Sequence, residues 1–363
     1  MHTLRLAVDP LHLDTAQARA ALDRAAEILR SGGLVALPTE TVYGLGANAL
    51  DPAAVARIFT AKQRPSWDPV IVHIAAPHSL ISMPNAMLDQ IVASIPDSAR
   101  RLIDAFWPGP LTLLLPRSAA VPDAVTAGRP LVGIRMPAHP VALQLIRRAG
   151  IPVAAPSANM FSRTSPTTAD HVLEDLDGRI DAILDSGPTA HGVESTVLDP
   201  GQSPMLIYRP GAVTAEQIRS VAGPVETFQA ETYQKEARAP SESPQALPSP
   251  GVGMRHYAPR ARLVLIEATP SDLPAQLART AALYPKERVG IMLPAGMTAP
   301  GSPETAIFPW GRWAAPEEMA HSLYAGLRAL DGLGCTIILC PMPPAGGVGD
   351  AIRDRLRKAA RAH

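Results

Sequence analysis

The sequence predicts an α/β fold arranged in two domains. Helical and strand patterns alternate through the first 212 residues, and a second alternating pattern begins at Ala261. Between them lies a stretch rich in Pro, Ser, Glu, Gln and Ala without an apolar period, which is typical of linkers. A length of 363 residues also favours two domains over one. We therefore predict domains over residues 1–223 and 261–363, joined by a linker over residues 224–260.

Caps and apolar periods predict the elements of the first domain. Thr15 is a candidate cap for a helix over residues 15–31, and a short buried strand follows at Leu34–Leu37. Asp51-Pro52 has the cap-plus-proline signature of a second helix. Further strands are predicted at 70–75, 111–115, 131–136, 153–155, 182–184, 196–198 and 205–208, and further helices at 97–106, 139–149, 167–176 and 214–221. This order predicts a mixed sheet, whose loops rich in Pro and Gly are suited to lining a cavity.

The second domain has the pattern of a small, doubly wound, Rossmann-like α/β unit. Its apolar runs alternate with amphipathic stretches in the order expected of β-α-β connections. Strands are predicted at 261–267, 288–293 and 335–340, and helices at 271–283, 315–330 and 348–360.

Charge and cysteine content exclude several classes of protein. The 33 Lys and Arg residues balance the 33 Asp and Glu residues, so no electrostatic surplus favours stable binding to bulk nucleic acid. The only cysteines are Cys335 and Cys340, which excludes a disulfide framework or a cysteine zinc site and fits a reducing compartment. The N-terminus lacks the apolar region of a signal peptide, and no apolar run reaches the ~18 residues of a membrane span. We expect a soluble, cytoplasmic protein.

A single lysine stands out in the first domain. Only four of the 33 basic residues are lysine, and Lys62 is the only one before residue 235. An ammonium group is a compact point charge that suits a phosphate or carboxylate, so Lys62 is a candidate ligand-binding residue. Alternatively, it is a chance lysine at the end of a helix, where the helix dipole favours any cation.

Hydroxyl-bearing residues follow two predicted strands. Thr39 and Thr41 flank Glu40 after the first strand, at the end where open α/β sheets place ligands. Ser157 and Ser165 come after the strand at 153–155. These hydroxyls are candidates for binding a polar ligand or phosphate. The alternative is local structure: the threonines bond their own turn, and Thr167 or Thr168 caps the next helix.

Two arginines occupy unusual positions in predicted strands. Arg135 lies inside an apolar strand, where an unpaired charge is costly, so it requires an anionic partner. That partner is either Glu194 or Asp185 of the protein, or a substrate carboxylate. Arg209 ends another strand just before Pro-Gly, which lets its side chain turn toward the mouth of the sheet.

Common catalytic signatures do not occur. The sequence has no Gly-x-x-x-x-Gly-Lys-Ser/Thr loop, no Gly-x-Ser-x-Gly elbow and no His-Glu-x-x-His helix. Its histidines are scattered and form no ligand spacing, so no protein-built metal site is predicted.

Taken together, the polar segments resemble the YrdC-like family, and specifically its long two-domain threonylcarbamoyl-AMP synthases. The resemblance covers about residues 15–215 most strongly. The matching segments, in order, are Pro38–Gly46, Lys62–Pro65, Trp107–Thr112, Arg135–Pro137, Pro156–Asn159, Glu194–Thr196 and Arg209–Gly211. Ser249–Gly251 and His256–Pro259 resemble the interdomain motif of that subfamily. The resemblance implies a YrdC-like twisted mixed sheet around a deep pocket.

The resemblance also implies a reaction and a set of roles. L-Threonine, bicarbonate and ATP would give threonylcarbamoyl-adenylate and diphosphate, which a downstream transferase would use to modify tRNA. L-Threonine would be held by Thr41, His73, Arg135, Ala155 through its backbone, and Ser195. Lys62 and Arg64 would act on the phosphates as the catalytic pair. ATP, with Mg²⁺ on its triphosphate, would also be placed by Asp68, Leu131 through its backbone, Ser157, Ser165, Arg209 and Tyr257.

Two positions depart from the family pattern. Asp68 stands where the family usually has an uncharged amide, so a role at ATP would have to work through the metal. The linker segment Pro250–Gly253 lacks the usual lysine, so closure of the site would rely on Arg255, His256 and Tyr257.

Two other functions share the fold. A carbamoyl-transfer protein that matures hydrogenases would need an acylphosphatase domain and zinc-finger cysteines. Two cysteines are too few for such zinc fingers. A non-catalytic, RNA-binding YrdC-like module would use a concave surface, but zero net charge argues against it.

Overall fold

The computed structural model describes residues 2–75, 86–228, 249, 256–298 and 305–361. Within these ranges the chain forms an eleven-stranded mixed sheet followed by a four-stranded parallel sheet. The predicted fold class, a large mixed sheet with a smaller Rossmann-like α/β domain, is confirmed. None of the helices in these ranges combines the length and apolarity that a bilayer crossing requires.

Nineteen elements in the described ranges build the first domain. In chain order they are β1 (Leu4–Ala7), α1 (Ala16–Arg30), β2 (Val35–Leu37), β3 (Gly44–Asn48), α2 (Pro52–Lys62), β4 (Ile71–His73), α3 (Ala86–Ile91), α4 (Asp97–Phe106), β5 (Leu111–Pro116), α5 (Asp123–Thr126), β6 (Leu131–Arg135), α6 (Pro140–Ala149), β7 (Val153–Ala154), α7 (Ala169–Leu176), β8 (Ala182–Asp185), β9 (Thr196–Asp199), β10 (Met205–Arg209), α8 (Ala215–Ala222) and β11 (Val225–Thr227). The strand order is β1-β8-β2-β3-β7-β4-β6-β5-β9-β10-β11.

The register of this sheet determines where the polar side chains meet. Strands β4 and β6 are parallel, and His73 pairs with Arg135 at the ends of both. Strand β7 runs antiparallel to β4, with Val153 opposite His73. Because these residues are neighbours across the sheet, side chains that are far apart in sequence lie close together.

Caps identified in the sequence begin the helices as predicted. The Thr15 hydroxyl accepts a hydrogen bond from the Ala18 N–H, and the Asp51 carboxylate accepts one from Ala53. Thr168, rather than Thr167, caps α7, because its hydroxyl accepts the His171 N–H at 3.3 Å.

The second domain comprises a smaller set of elements. These are β12 (Arg262–Ile266), α9 (Leu273–Ala281), β13 (Val289–Leu293), β14 (Ala306–Pro309), α10 (Pro316–Gly332), β15 (Ile337–Pro341) and α11 (Val348–Ala359). Its core is continuous with the first domain, because Val42 and Val193 pack in the same apolar cluster as Trp310, Leu323 and Leu327. The two domains are therefore packed against each other through apolar side chains.

Some strands were not indicated by the sequence. The segment Gly44–Asn48, for which no strand was predicted, is the inner strand β3. Its glycines permit close packing, since a Cβ on Gly46 would lie 2.9 Å from side-chain atoms of Leu37 and Val153. Strands β1, β11 and β14 lie at sheet edges, have three or four residues each, and contain only one buried residue between them.

One predicted boundary needs correction. Strand β11 falls inside the predicted linker and pairs with β10, so the first sheet continues past residue 223 to Thr227. The remaining domain limits stay a prediction. The linker residues Pro250–Arg255 lie outside the described residues.

Candidate active site

A cavity is lined by residues of β4, by the end of β6 and by the segment that follows β7 in the first sheet. Its volume is about 50 Å³, which is space for a few water molecules. Segments of the first domain and two residues of the predicted linker, His256 and Tyr257, enclose it. The lining residues are Thr39, Thr41, Val42, Gly44, Arg64, Val70, Ile71, His73, Arg135, Ala155, Pro156, Ser157, Glu194, Ser195, Arg209, His256 and Tyr257.

Arg135 is buried on one side of the cavity and already has several partners. Its Nη1 donates to the Thr41 hydroxyl at 2.9 Å, and its Nε donates to the Gly109 carbonyl at 3.1 Å. The Glu40 carboxylate lies 2.7 Å from Nη2. The protein anion beside Arg135 is thus Glu40, and not Glu194 or Asp185, the two partners considered from the sequence. Among the described residues, Nη2 has no well-aligned hydrogen-bond acceptor.

The two threonines after β2 have different roles. The Thr39 hydroxyl donates to the Val42 carbonyl at 2.6 Å, which is the local turn bond expected from the sequence alternative. Thr41 is fully buried, and its hydroxyl accepts from Arg135. Only Thr41 is therefore coupled directly to the guanidinium.

His73 lies beside Arg135 as a neutral imidazole. Burial, with the charge of Arg135 as a second cause, lowers the pKa of His73 to about 3. Its Nδ1 is buried without a hydrogen-bond partner among the described residues. An uncharged ring with free hydrogen-bonding capacity can contact a polar ligand without adding a charge to the pocket.

Lys62 lies behind the cavity wall. Its Nζ donates to the Ser157 carbonyl at 2.5 Å and also to the Asn159 carbonyl. Burial lowers the pKa of Lys62 well below its usual value, and the nearby Arg64 lowers it further. The partners of this buried ammonium are two uncharged carbonyls, which offset its charge only in part. The phosphate of a bound ligand would therefore interact with it strongly.

Arg64 and Asp68 form a buried ion pair. Arg64 Nη2 is 3.0 Å from Asp68 Oδ2, and the guanidinium also donates to the Asp68 and Pro69 carbonyls. Burial raises the pKa of Asp68 although Arg64 opposes the shift. Asp68 itself does not line the cavity. In this structure it orients Arg64.

Arg209 and Ser195 both line the cavity and are hydrogen-bonded to each other. Arg209 donates from Nε and Nη2 to the Ser195 carbonyl at 3.1 and 2.9 Å, and from Nη2 to the Ser195 hydroxyl. The Ser195 hydroxyl is also 2.8 Å from that of Thr112 on β5. The hydroxyl and the carbonyl of Ser195 thus bond to side chains of the first domain.

Glu194 is held mainly by the second domain. Its carboxylate accepts from Arg355 Nε at 2.7 Å and from the Tyr324 hydroxyl at 2.8 and 3.0 Å. The Ser165 hydroxyl donates to the same carboxylate at 2.6 Å. Burial favours a raised pKa for Glu194, yet Arg355, Arg209 and these hydrogen bonds hold it below its usual value. Glu194 is therefore an anion.

His256 and Tyr257 close the cavity from the C-terminal side. Tyr257 is fully buried, has a positive φ of 65°, and stacks on Tyr324 with ring centroids 6.0 Å apart. His256 packs edge-on against Phe161 at 5.5 Å. Burial lowers the pKa of His256 well below its usual value, so the ring is neutral. Together these side chains fill the space beside Arg64 and Arg209.

Nine of the thirteen predicted site residues line the cavity. Of the others, Lys62, Asp68 and Ser165 each contact a lining residue. Leu131 begins β6, four residues before Arg135, and at ~3.3 Å per residue it lies about 13 Å away. Within the described residues, no cluster of three or more His, Cys, Asp or Glu side chains is arranged to hold a metal.

Several contacting residues were not identified from the sequence. Glu40 was noted only as the residue between two threonines, whereas its carboxylate pairs with Arg135. Glu194 was one possible partner of Arg135, whereas it pairs with Arg355. Tyr324 and Arg355 lie on α10 and α11, more than 100 residues from Glu194. Arg355 occurs in a run of alternating charges, which is indistinguishable in sequence from a solvated helix face.

Comparison with known proteins gives matches to both domains. A Sua5, YciO and YrdC family model, described as "Telomere recombination", matches residues 27–211, and a model described as the C-terminal domain of threonylcarbamoyl-AMP synthase matches residues 213–361. The chain is 41% identical to a Pyrococcus abyssi threonylcarbamoyl-AMP synthase, with 93% of each chain covered. It is 42% identical to the Bacillus subtilis protein of the same name, covering 93% of this chain and 92% of that one.

Solved structures match the chain over both domains as well. A crystal structure of P. abyssi Sua5 complexed with L-threonine superposes with a TM-score of 0.83 at 37% identity, covering 99% of this chain and 98% of that chain. A variant of the same P. abyssi protein, with a histidine and a tyrosine replaced by alanine, gives a TM-score of 0.85 over 99% and 96% of the two chains. The chain therefore belongs to the Sua5/YrdC family, in its two-domain form with a Sua5 C-terminal domain.

Proposed function

We propose that the protein is an L-threonylcarbamoyladenylate synthase, a nucleotidyltransferase that joins L-threonine, bicarbonate and ATP and releases diphosphate. One observation carries the proposal: a buried arginine suited to a carboxylate and two arginines suited to phosphates line the same cavity. Relatives of that name are 41–42% identical over nearly the whole chain.

The amino acid would occupy the side of the cavity formed by β4 and β6. Arg135 would take the threonine carboxylate through Nη2, beside or in exchange for the Glu40 carboxylate that lies 2.7 Å from this nitrogen. Thr41, the neutral His73, Ser195 and the backbone of Ala155 would complete this side. The threonine amine would then be free to attack carbon dioxide and lose a proton, or to attack bicarbonate with loss of water, and either route gives a carbamate.

The nucleotide would occupy the opposite side. A carbamate oxygen would attack the α-phosphorus, the bond to the β-phosphate oxygen would break, and diphosphate would leave. Lys62, Arg64 and Arg209 would stabilise the charge on the phosphate oxygens, which is the main task of a protein in phosphoryl and nucleotidyl transfer. Ser157, Ser165 and Leu131 would help to position ATP. Positioning two reactants in one site accounts for most of the expected rate enhancement.

His256 and Tyr257 would act as a closing element. A cavity of about 50 Å³ cannot hold an amino acid and a nucleotide together, so these two side chains must withdraw before substrates enter. A carbamate decomposes in water, and a closure that excludes solvent would protect it. Tyr257 would also contact the nucleotide.

Mg²⁺ would enter with the triphosphate as part of the substrate. The buried carboxylates near the cavity do not offer a ready site, because Asp68 is paired with Arg64 and Glu194 with Arg355. The product is a reactive mixed anhydride, so a downstream transferase of tRNA modification would collect it in the cytoplasm. No stable association with nucleic acid or membrane is required.

Labelled bicarbonate tests the proposal directly. Purified protein with MgATP and L-threonine should incorporate the label into an adenylate and release one diphosphate per label, and omission of threonine should abolish both. Filter binding to tRNA at two salt concentrations is the companion measurement. Steeply salt-dependent tRNA binding without threonine-dependent diphosphate release would instead support an RNA-binding module.

A further inference from the structure

The loop that carries Glu194 is held by the second domain. A Cβ on Gly192 would lie 2.4 Å from the Ala320 carbonyl of α10, so the two backbones are in close contact. The His321 ring nitrogen lies 3.0 Å from the Ala190 carbonyl. Val193 is buried in the second domain's apolar cluster. The path of this loop therefore depends on the docking of α10.

Two side chains of the second domain fix the Glu194 carboxylate itself. Arg355 is 1% exposed and forms an ion pair with Glu194 at 2.7 Å. Tyr324, which is fully buried, hydrogen bonds to both carboxylate oxygens. Arg355 also lies over the Tyr257 ring, with 5.1 Å between the guanidinium carbon and the ring centroid. One arginine thus contacts both the cavity wall and its closing tyrosine.

The Glu194 carboxylate stabilises the nucleotide side of the cavity more directly than the amino-acid side. The hydroxyl of Ser165, a predicted ATP ligand, donates directly to Glu194. Ser195, a predicted threonine ligand, is instead fixed by Thr112 and Arg209 of the first domain. Loss of the second-domain contacts would therefore disturb Ser165 and leave Ser195 supported.

We propose that Arg355 and Tyr324 are positioning residues for the nucleotide. They hold Glu194, and through it Ser165, so that the nucleotide side of the active site is complete only when the second domain is docked. The inference rests on the proposed function for its kinetic readout, and ATP binding provides a second readout that does not.

The test uses the full chain with Tyr324→Phe, which deletes one hydroxyl, and with Arg355→Gln. The loss of a hydrogen bond to a buried charge should raise the KM for ATP about 10-fold, with the KM for threonine changed by less than about 2-fold. The affinity for MgATP measured by titration should fall in parallel. Arg353→Gln is the matched control, because Arg353 lies on the same helix but pairs with Glu267 of its own domain. It should leave both KM values unchanged.

A double variant separates the ion pair from general damage. Glu194→Gln combined with Arg355→Gln removes both charges, so it should recover part of the ATP affinity lost in Arg355→Gln alone. If Arg355→Gln does not fold, Tyr324→Phe alone decides the question. Unchanged KM and affinity for ATP in folded Tyr324→Phe, or equal losses for ATP and threonine, would overturn the proposal. Wild-type protein that binds ATP but releases no threonine-dependent diphosphate would refute the proposed function instead.

Discussion

The two sides of the cavity are built by different means. The amino-acid side is made by strand register within one sheet: His73 lies opposite Arg135, and both are at strand ends. On the nucleotide side, Lys62 bonds two backbone carbonyls, Arg64 bonds Asp68, and Glu194 depends on Arg355 from the other domain. On the first side only Arg135 must exchange a protein anion, Glu40, for the ligand. On the second side, by contrast, Lys62, Arg64 and Arg209 each have protein partners to exchange for phosphate oxygens. Binding of ATP should therefore depend more on protein rearrangement than binding of threonine does.

The largest expected effect comes from Lys62 on the nucleotide side. Lys62→Met keeps the length of the side chain and removes its charge, so threonine-dependent diphosphate release should fall about 100-fold or more. Thermal unfolding should show that the protein remains folded. Lys286→Met, at an exposed lysine of the second domain, is the matched control and should keep full turnover. Wild-type turnover in Lys62→Met would mean that the lysine only supports the backbone at Ser157.

Arg135 tests the amino-acid side. Arg135→Gln should raise the KM for threonine about 100-fold, because a buried, charge-assisted contact with the carboxylate is lost. The KM for ATP should change less than about 3-fold. Glu40→Gln is the control, since it removes the neighbouring anion and keeps the guanidinium. Equal increases in both KM values in Arg135→Gln would place Arg135 outside the amino-acid side and weaken the contrast between the two halves.

This contrast also explains what could be predicted from the sequence. Thr41, His73, Arg135 and Ser195 belong to short motifs at strand ends, and the resemblance to the YrdC-like family identified all four, each of which lines the cavity. The helix caps, and the inner strands other than β3, were likewise indicated by local patterns. Such features depend on neighbours in sequence or on a regular period.

Features that depend on distant contacts were not predictable. Arg355 is one arginine among several on α11, and only the docking of that helix shows that it is buried against Glu194. Glu40 has the sequence context of a turn residue, and the ion pair with Arg135 forms through tertiary structure. The edge strands β1, β11 and β14 have too little buried surface to produce an apolar period.

The smallest expected effect is on stability. It tests whether the amino-acid side carries no charges other than those of the Arg135–Glu40 ion pair. Burial holds the pKa of His73 near 3, below the 6.5 of an exposed imidazole. The unfolded chain therefore binds a proton first, and stability falls as the pH decreases from about 6.5. His73→Asn should remove about 1 kcal/mol of the stability difference between about pH 7.5 and pH 5.5, measured by urea unfolding.

His12→Asn is the control of opposite sign, because hydrogen bonding to Asp9 raises the pKa of that exposed histidine. An unchanged pH profile in His73→Asn would mean that His73 titrates over the same pH range in the folded and the unfolded protein, so that it would become a second cation beside Arg135 below about pH 6.5.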